Sequence, residues 1–512
     1  MLYQRERDNL LQNKELQGQD PYELAVYSTW RLSYEKLDDP ARSFLQVCSL
    51  LHHEGISEEM FKKAAVSQLE LGDSELLDEV THLLNQLGKQ DSGWSSWKFQ
   101  KVIMRLGSHS LIEYDHQNHT YSIHPLVHHW SRTTMEGNRH NMQKLVLTII
   151  GQSFSMTITD EDIKYRRKLL KHTTNSITSL RPEDINPLVG MHIAEIYGEA
   201  GRWKETEVLE VVVVEKRKRA LGDDHTDTLT SMQGLANTYW SQGRWSDAEA
   251  LYLVVLEKRR LVLGDEHPDT LESMANLATT YSYQGRWKEA EALLLVAVEK
   301  RNQVLGDEHA DTLVTMGNLA STYRNQGRLK DTEALELVVM ERTRRLLGEE
   351  HPHTLVAMGN LAYTYRNQDR LDDAEALELV VMEKRKQLLG EDHPHTLRAM
   401  SHLAVTYWKQ GRWNEAEGLQ VVTMEKTKRV LGDDHIWTLE NMAQLANTYK
   451  GQGRLDDTVA LQEAVMQKRK QVLRDGHPDT LKSMSNLAAT YRDLGRMNDA
   501  EALEVVVKEK TT

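Results

Sequence analysis

Leu263-Gly264-Asp265-Glu266-His267-Pro268-Asp269-Thr270-Leu271, continued by Asn276-Leu277-Ala278, Tyr281 and Gly285-Arg286-Trp287, is the stretch that decides the fold. Its elements return every 42 residues through the last two-thirds of the 512-residue chain. The glycine recurs at Gly201, Gly243, Gly285, Gly327, Gly411, Gly453 and Gly495, with Asp369 in the one gap, and a tyrosine stands four residues before each. His225, His267, His309, His351, His393, His435 and His477 each lie three residues before a Thr-Leu pair. Self-similarity at a fixed period is the signature of a repeat architecture.

Each unit reads as two helices. The first, helix A, is expected from about Pro268 to Tyr283. Its buried face is Leu271, Met274, Leu277, Ala278 and Tyr281, spaced at three and four. Gly285 then ends the helix, because glycine adopts the left-handed conformation at little cost. Helix B is expected from about Lys288 to Val304 on Ala290, Leu293, Leu294, Ala297 and Val298. Proline early in helix A, as at Pro268, Pro352, Pro394 and Pro478, loses no hydrogen bond there. Ala236, Ala278, Ala320, Ala362, Ala404, Ala446 and Ala488 face Ala248, Ala290, Ala374, Ala416 and Ala500, with Thr332 and Thr458 as the larger exceptions. Helix axes about 8–10 Å apart need such residues at the crossing.

The pattern Leu-Ala-x-x-Tyr-x-x-x-Gly-x-aromatic-x-x-Ala resembles the tetratricopeptide repeat. The 42-residue unit with its Leu-Gly-Asp-Glu-His-Pro-Asp-Thr-Leu loop resembles the kinesin light chain subclass of that family. The resemblance covers about residues 185–512 and implies eight repeats in a mainly α, right-handed α-solenoid. The first repeat keeps Ile193, Ala194 and Tyr197 without the His-Pro loop, which suits a terminal capping repeat. Leu503, Val506 and Val507 of the last helix B are expected to be exposed.

Helix A has a second face, in this repeat Glu272, Asn276, Thr279 and Tyr283, which stacked repeats present to a shared groove. One row there is Asn276, Asn318, Asn360 and Asn486, with Gly234, His402 and Gln444 at the other places. An amide both donates to and accepts from an extended peptide backbone. In peptide-binding tetratricopeptide proteins an Asn directly before this Leu does that work, so the resemblance implies it for these four. A neighbouring row varies as Arg324, Arg366, Trp408, Lys450 and Arg492. The four asparagines with Arg324 and Arg366 form the candidate peptide site. The competing reading is that the amides solvate a helix face or bond neighbouring helices.

The seven recurrent histidines do not make a metal site. Equivalent positions lie roughly 10 Å apart by interaxial spacing, whereas zinc needs its nitrogen ligands about 2 Å from one point; a capping or loop-bonding role is expected. The row from Met232 to Met484 is core packing at helical spacing. Trp203, Trp245, Trp287 and Trp413 share a slot with Leu329, Leu371 and Leu455 and read as packing residues.

The N-terminal third lacks the period. Helices are expected over Tyr22–Leu37, Ala41–Leu51, Ser57–Ala65 and Leu76–Leu87, and a β-hairpin over Ser110–Tyr114 and Thr120–Ile123. Thr29-Trp30-Arg31-Leu32-Ser33-Tyr34, Phe44 to Leu51 and Ile123-His124-Pro125-Leu126-Val127-His128-His129-Trp130 resemble the winged-helix region after an NB-ARC nucleotide-binding module. That resemblance implies a lever domain of signalling ATPases of the NLR-like STAND type found in filamentous fungi. It makes His124 a vestigial sensor of a nucleotide phosphate. No Gly-x-x-x-x-Gly-Lys-Ser/Thr loop stands in this sequence to complete such a site. The expected domains are a polar segment over 1–20, the winged-helix domain over 21–135, a helical connector over 136–184 and the repeats over 185–512.

A formal net charge of −14 argues against nucleic acid or an anionic membrane surface as partner. Cys48 is the only cysteine, which fits a reducing, cytoplasmic compartment. The sequence thus predicts a non-catalytic scaffold that binds peptide segments or proteins, with no cofactor and no metal. Two alternatives remain. One is the lever and sensing half of an NB-ARC–tetratricopeptide ATPase whose partner is an upstream nucleotide-binding domain. The other is a kinesin light chain-like cargo adaptor, although no heptad run is present to pair with a heavy chain.

Overall fold

The computed structural model describes residues 29–67, 74–91, 93–135, 137–154, 160–178 and 180–511. The polar segment 1–20 and the start of the helix expected from Tyr22 lie outside them. The chain divides into two compact units, residues 1–197 with 208–216 and residues 198–207 with 217–512.

In the first unit, residues 29–35 are helical and the next helix is Asp39–Leu50. Asp38 caps it by accepting the Ala41 N–H at 3.2 Å, and a proline occupies the first turn, where no N–H is required. Its buried face carries Phe44, Leu45, Val47 and Cys48; burial pushes the Cys48 thiol well above its ordinary pKa, so it is an inert core residue. Phe44 meets Phe61 and Phe99 at ring separations of 5.3 Å, both edge-to-face, which favours aromatic pairs. Ser57 precedes the helix Glu58–Val66, but its side chain makes no capping bond. The expected hairpin pairs Glu113–Asp115 with Thr120–Ser122, Tyr114 opposite Tyr121, and Tyr121 also bridges to Ile56. Among the described residues the structure adds three elements to those expected: the helix Ser96–Gly107, capped by Ser95, the helix Pro125–Thr133, and a short hairpin, Lys89–Gln90 with Gly93–Trp94. The connector supplies two helices, Arg139–Ser153 and Asp160–Ile177, whose Val146, Leu147, Ile150 and Leu169 join the same hydrophobic core.

The second unit is a tandem α-solenoid. Seven helix pairs follow one pattern, 16 residues then 19 in every pair but the last, as in Pro268–Tyr283 with Trp287–Leu305 and Pro352–Asn367 with Leu371–Leu389. They are preceded by Pro187–Glu199 and by Trp203–Leu221, which is shared between the two units. The recurrent histidines are N-caps: the His267 ring Nδ1 accepts the Asp269 N–H at 3.2 Å, and the other six repeat this. The turn after helix A takes positive φ, +77° at Gly285 and +61° at Asp369. The crossing residues Ala278, Ala290, Ala362 and Ala374 are fully buried, as are Thr332 and Thr458.

A polar clamp joins each repeat to the next. The Gln326 amide donates to Glu291 Oε2 at 2.8 Å, and Arg328 Nη1 donates to Glu291 Oε1 at 2.8 Å. Arg328 also reaches Asp331 at 2.7 Å, which fixes it at the start of its own helix B, and its guanidinium lies 4.0 Å from the centre of the Tyr323 ring. The amide bond first, and then Arg328, hold the Glu291 carboxyl below its ordinary range. The same trio recurs at Gln242, Gln284, Gln368, Gln410 and Gln452. In the last repeat Leu494 and Val459 replace the amide and the carboxylate and pack together, so the polar partners are lost as a pair. This clamp also explains why Tyr323, Tyr365 and Tyr407 are half-buried: arginine covers the outer ring face. Trp287 and Trp413, read from sequence as packing residues, stand at this rim and are about two-fifths exposed.

Candidate binding groove

The asparagines stand on the second face of helix A. Asn276, Asn318 and Asn360 are half-buried and Asn486 is exposed. Their backbone carbonyls serve the helices, as when Asn318 O accepts the Thr322 hydroxyl at 3.1 Å. Their side-chain amides make no hydrogen bond to any described residue. A half-buried amide with free donors and acceptors is satisfied by water or by a ligand.

The two candidate arginines are placed differently. Arg324 Nη1 donates to Glu336 at 2.9 Å, and its guanidinium lies 4.7 Å from the Tyr363 ring centre. Arg366 is 4 % exposed and donates from Nη1 to Glu378 at 3.1 Å and to the His402 carbonyl at 2.9 Å. Burial opposes both charges, raising the Glu378 carboxyl and lowering the Arg366 guanidinium, and their mutual attraction offsets this. Both arginines thus tie helix A to helix B of their own repeat.

Two cavities open between successive A helices. One of ≈ 110 Å³ is lined by Val356, Asn360, Arg385, Arg398, Ala399 and His402 among others. The second, of ≈ 270 Å³, runs on past Arg398 and His402 to Trp437, Glu440 and Gln444. The carboxylates here are occupied: Glu378 binds Arg366 and Thr406, and Glu440 binds Arg469 at 3.3 Å. Burial, and then Arg366, Arg398 and Arg385, push the His402 pKa down to about 3, so its ring is neutral. In the sequence His402 stands only as an exception in the asparagine row, and nothing in the pattern read there singles out Arg398, Arg385 or Trp437. A step-42 comparison of helix B would have found Arg385.

No group of three or more His, Cys, Asp or Glu among the described residues could hold a metal ion. His124 is an exposed N-cap that accepts the Leu126 N–H at 3.3 Å, and His128 is buried against the Leu51 carbonyl at 2.8 Å. Among the described residues no helix is long and apolar enough to cross a membrane.

The family of tetratricopeptide repeats matches residues 191–227, 228–269, 270–311, 312–353, 354–395 and 396–436, and a second tetratricopeptide repeat family matches 440–504, together more than half of the chain. The chain belongs to the tetratricopeptide repeat family. Residues 32–140 match a Domain of unknown function (DUF7779). A comparison with curated proteins finds no match. Among solved structures, the chain is similar to nearly identical TPR-like repeats, described as a kinesin light chain, from Podosopora anserina, at 27 % identity over 40 % of this chain and 96 % of that one, TM-score 0.36. It is also similar to a signal transduction ATPase with numerous domains and a tetratricopeptide repeat sensor from Pyrococcus horikoshii, at 12 % identity over 99 % of this chain and 72 % of that one, TM-score 0.42. A third is NprR in complex with its cognate peptide NprX, at 13 % identity over 69 % of this chain and 95 % of that one, TM-score 0.45.

Proposed function

We propose that this tetratricopeptide repeat protein is a non-catalytic scaffold that binds an extended peptide or protein segment along the A-helix face of its solenoid. The observation that carries this is the row of Asn276, Asn318 and Asn360, whose amides stand 42 residues apart without partners among the described residues, with Asn360 lining the smaller of the two cavities. A row of unbonded amides supports recognition of backbone without side-chain reading; the varied residues around it would supply selectivity. The repeat loop, Leu-Gly-Asp-Glu-His-Pro-Asp-Thr-Leu, supports a place in the kinesin light chain-like subclass.

The test uses a fluorescein-labelled degenerate decapeptide pool and fluorescence anisotropy. Asn318→Ala with Asn360→Ala is expected to weaken binding by about 1–3 kcal/mol, as loss of ligand hydrogen bonds in a half-buried site does, with the helical circular dichroism unchanged. Unaltered affinity would remove the amide row from the function. The lever reading of the N-terminal region is supported by the hairpin at 113–122 laid against Ile56. Titration calorimetry of this chain with ATP is expected to be flat.

A further inference from the structure

Helix B carries a second periodic row, Arg217, Arg259, Arg301, Thr343, Arg385, Thr427 and Arg469, and fourteen residues on stand Ser231, Ser273, Thr315, Ala357, Ala399, Asn441 and Ser483. The two rows vary together. Where the first residue is arginine, its Nη1 donates to a helix A carbonyl of the next repeat and to the hydroxyl fourteen residues on. Arg259 reaches Asp269 O and Ser273 Oγ, both at 2.9 Å, and Arg469 reaches Asp479 O at 3.1 Å and Ser483 Oγ at 2.8 Å. Arg217 and Arg301 do the same. Where it is threonine, the partner is Ala357 or Asn441 and no guanidinium needs satisfying.

Arg385 breaks the rule. It is an arginine opposite Ala399, 9 % exposed, and its only hydrogen bond runs to the His395 carbonyl at 3.1 Å. No other N–H of its guanidinium finds an acceptor among the described residues, and no carboxylate pairs with it. A buried, uncompensated guanidinium is costly unless something else supplies the charge. Its side chain lines the ≈ 110 Å³ cavity, where Ala399 and Gly359 leave room. Arg398 lines the same cavity, also without an ion pair, its guanidinium 5.6 Å from the Trp437 ring centre. The neutral His402 ring also lines it, as does Glu378, whose carboxylate is held by Arg366 and Thr406.

We infer that this cavity is an anion subsite of the groove, in which Arg385 and Arg398 receive one carboxylate side chain of a bound peptide. The inference rests on the groove reading above and adds a chemical requirement to it: an Asp or Glu at the point where the ligand passes the repeats that begin at Pro352 and Pro394. A planar guanidinium with open donors suits a carboxylate, which accepts two parallel N–H bonds. The cavity volume excludes a large ring but takes a carboxymethyl group. The four other arginines of the row each bond both a carbonyl and a hydroxyl, where Arg385 bonds a carbonyl alone.

The test uses N-acetyl-glutamate α-amide and its glutamine counterpart as probes of the full chain, with methyl-labelled Ala399, Val381 and Val356 in the cavity wall as nuclear magnetic resonance reporters. The glutamate probe is expected to shift these methyls saturably, and the glutamine probe to bind at least about tenfold more weakly, because a charge-assisted bond is lost. Arg385→Thr recreates the Thr343–Ala357 pairing already present in this chain, so the repeat has a precedent for folding with it. It is expected to abolish the preference, while Ala399→Ser, which restores a hydroxyl partner, reduces it by about threefold. Equal response to both probes, an unchanged preference in Arg385→Thr, or a stronger response to inorganic phosphate than to the glutamate probe would overturn the subsite. If the subsite fails while the decapeptide pool still senses Asn318→Ala with Asn360→Ala, the groove reading stands alone. If the probe preference holds while the pool ignores the asparagines, the groove reading fails and the subsite stands.

Discussion

The two units bury their apolar side chains in different ways. The first has one cluster of large residues, centred on Phe44, Phe61 and Phe99, that draws in helices from residue 39 to residue 177. The second has a string of small clusters, such as Leu313, Met316, Val339 and Ala357, then Leu355, Val381 and Ala399, then Leu439, Met442 and Val465. Each cluster is drawn from two or three successive repeats, so the solenoid relies on polar clamps and buried ion pairs between and within repeats to keep register. A single core concentrates the cost of a deletion; a string confines it to neighbours.

Phe99→Ala should therefore cost about 3–5 kcal/mol in urea unfolding of the first unit, and hydrogen exchange should rise across that whole unit. Leu355→Ala is expected to raise exchange only in its own and adjacent repeats. Equal spread of the two effects would break the comparison. Glu378→Ala should cost a similar amount, about 3–5 kcal/mol, because Arg366 is left buried and unpaired. Arg366→Met with Glu378→Leu should recover most of it, and failure of that rescue would show that the pair does more than neutralise itself.

The first unit also concentrates buried histidines around residues 50–55. His172 lies between the His52 N–H at 3.2 Å and the Gly55 carbonyl at 3.0 Å, and His128 reaches the Leu51 carbonyl. Burial, ahead of every other cause, lowers both to about 4. The unfolded chain binds these protons first, so the stability they confer is complete above pH 6.5 and is lost as pH falls towards 4. The expected loss is about 1–3 kcal/mol for each histidine over that interval, read by urea titrations at several pH values. His172→Gln should flatten the profile; an unchanged slope would assign the loss to other groups.

Backbone strain sharpens the contrast from the solenoid side. Six repeats end helix B on a glycine, with φ from +85° to +94° and ψ near 165°, whereas Arg474 adopts φ +78°, ψ 163° in the same place. That region is almost confined to glycine, so Arg474→Gly should stabilise by about 1–3 kcal/mol. Asp369→Gly is the mildest change, a gain of a few tenths to about 1 kcal/mol at φ +61°. A fall in melting temperature for either would mean that its side chain holds the turn in place.

Legibility followed the repeat count. Helix A over Pro268–Tyr283, the left-handed turn at Gly285 and the buried crossing alanines could be read beforehand, because seven copies average away the local noise of one helix. The helix Ser96–Gly107 occurs once, lies beside Gly93 and Ser95, and had no second copy to support it. The Gln–Glu–Arg clamp was present in the pattern at steps of 42 but went unread, since Gln326 and Glu291 are 35 residues apart and meet only when repeats stack.

The amino-acid order alone determined that the chain makes helix pairs, where each pair starts and turns, and which small residues lie at the crossings. Those are local or same-period properties, set by spacing, caps and side-chain size. Only the tertiary structure decided which charges are spent and which are free: it gave Arg366 to Glu378, Arg328 to Glu291, and left Arg385 opposite an alanine. Pairing of that kind depends on contacts between residues in different helices and on their burial, and spacing along one helix carries no information about either.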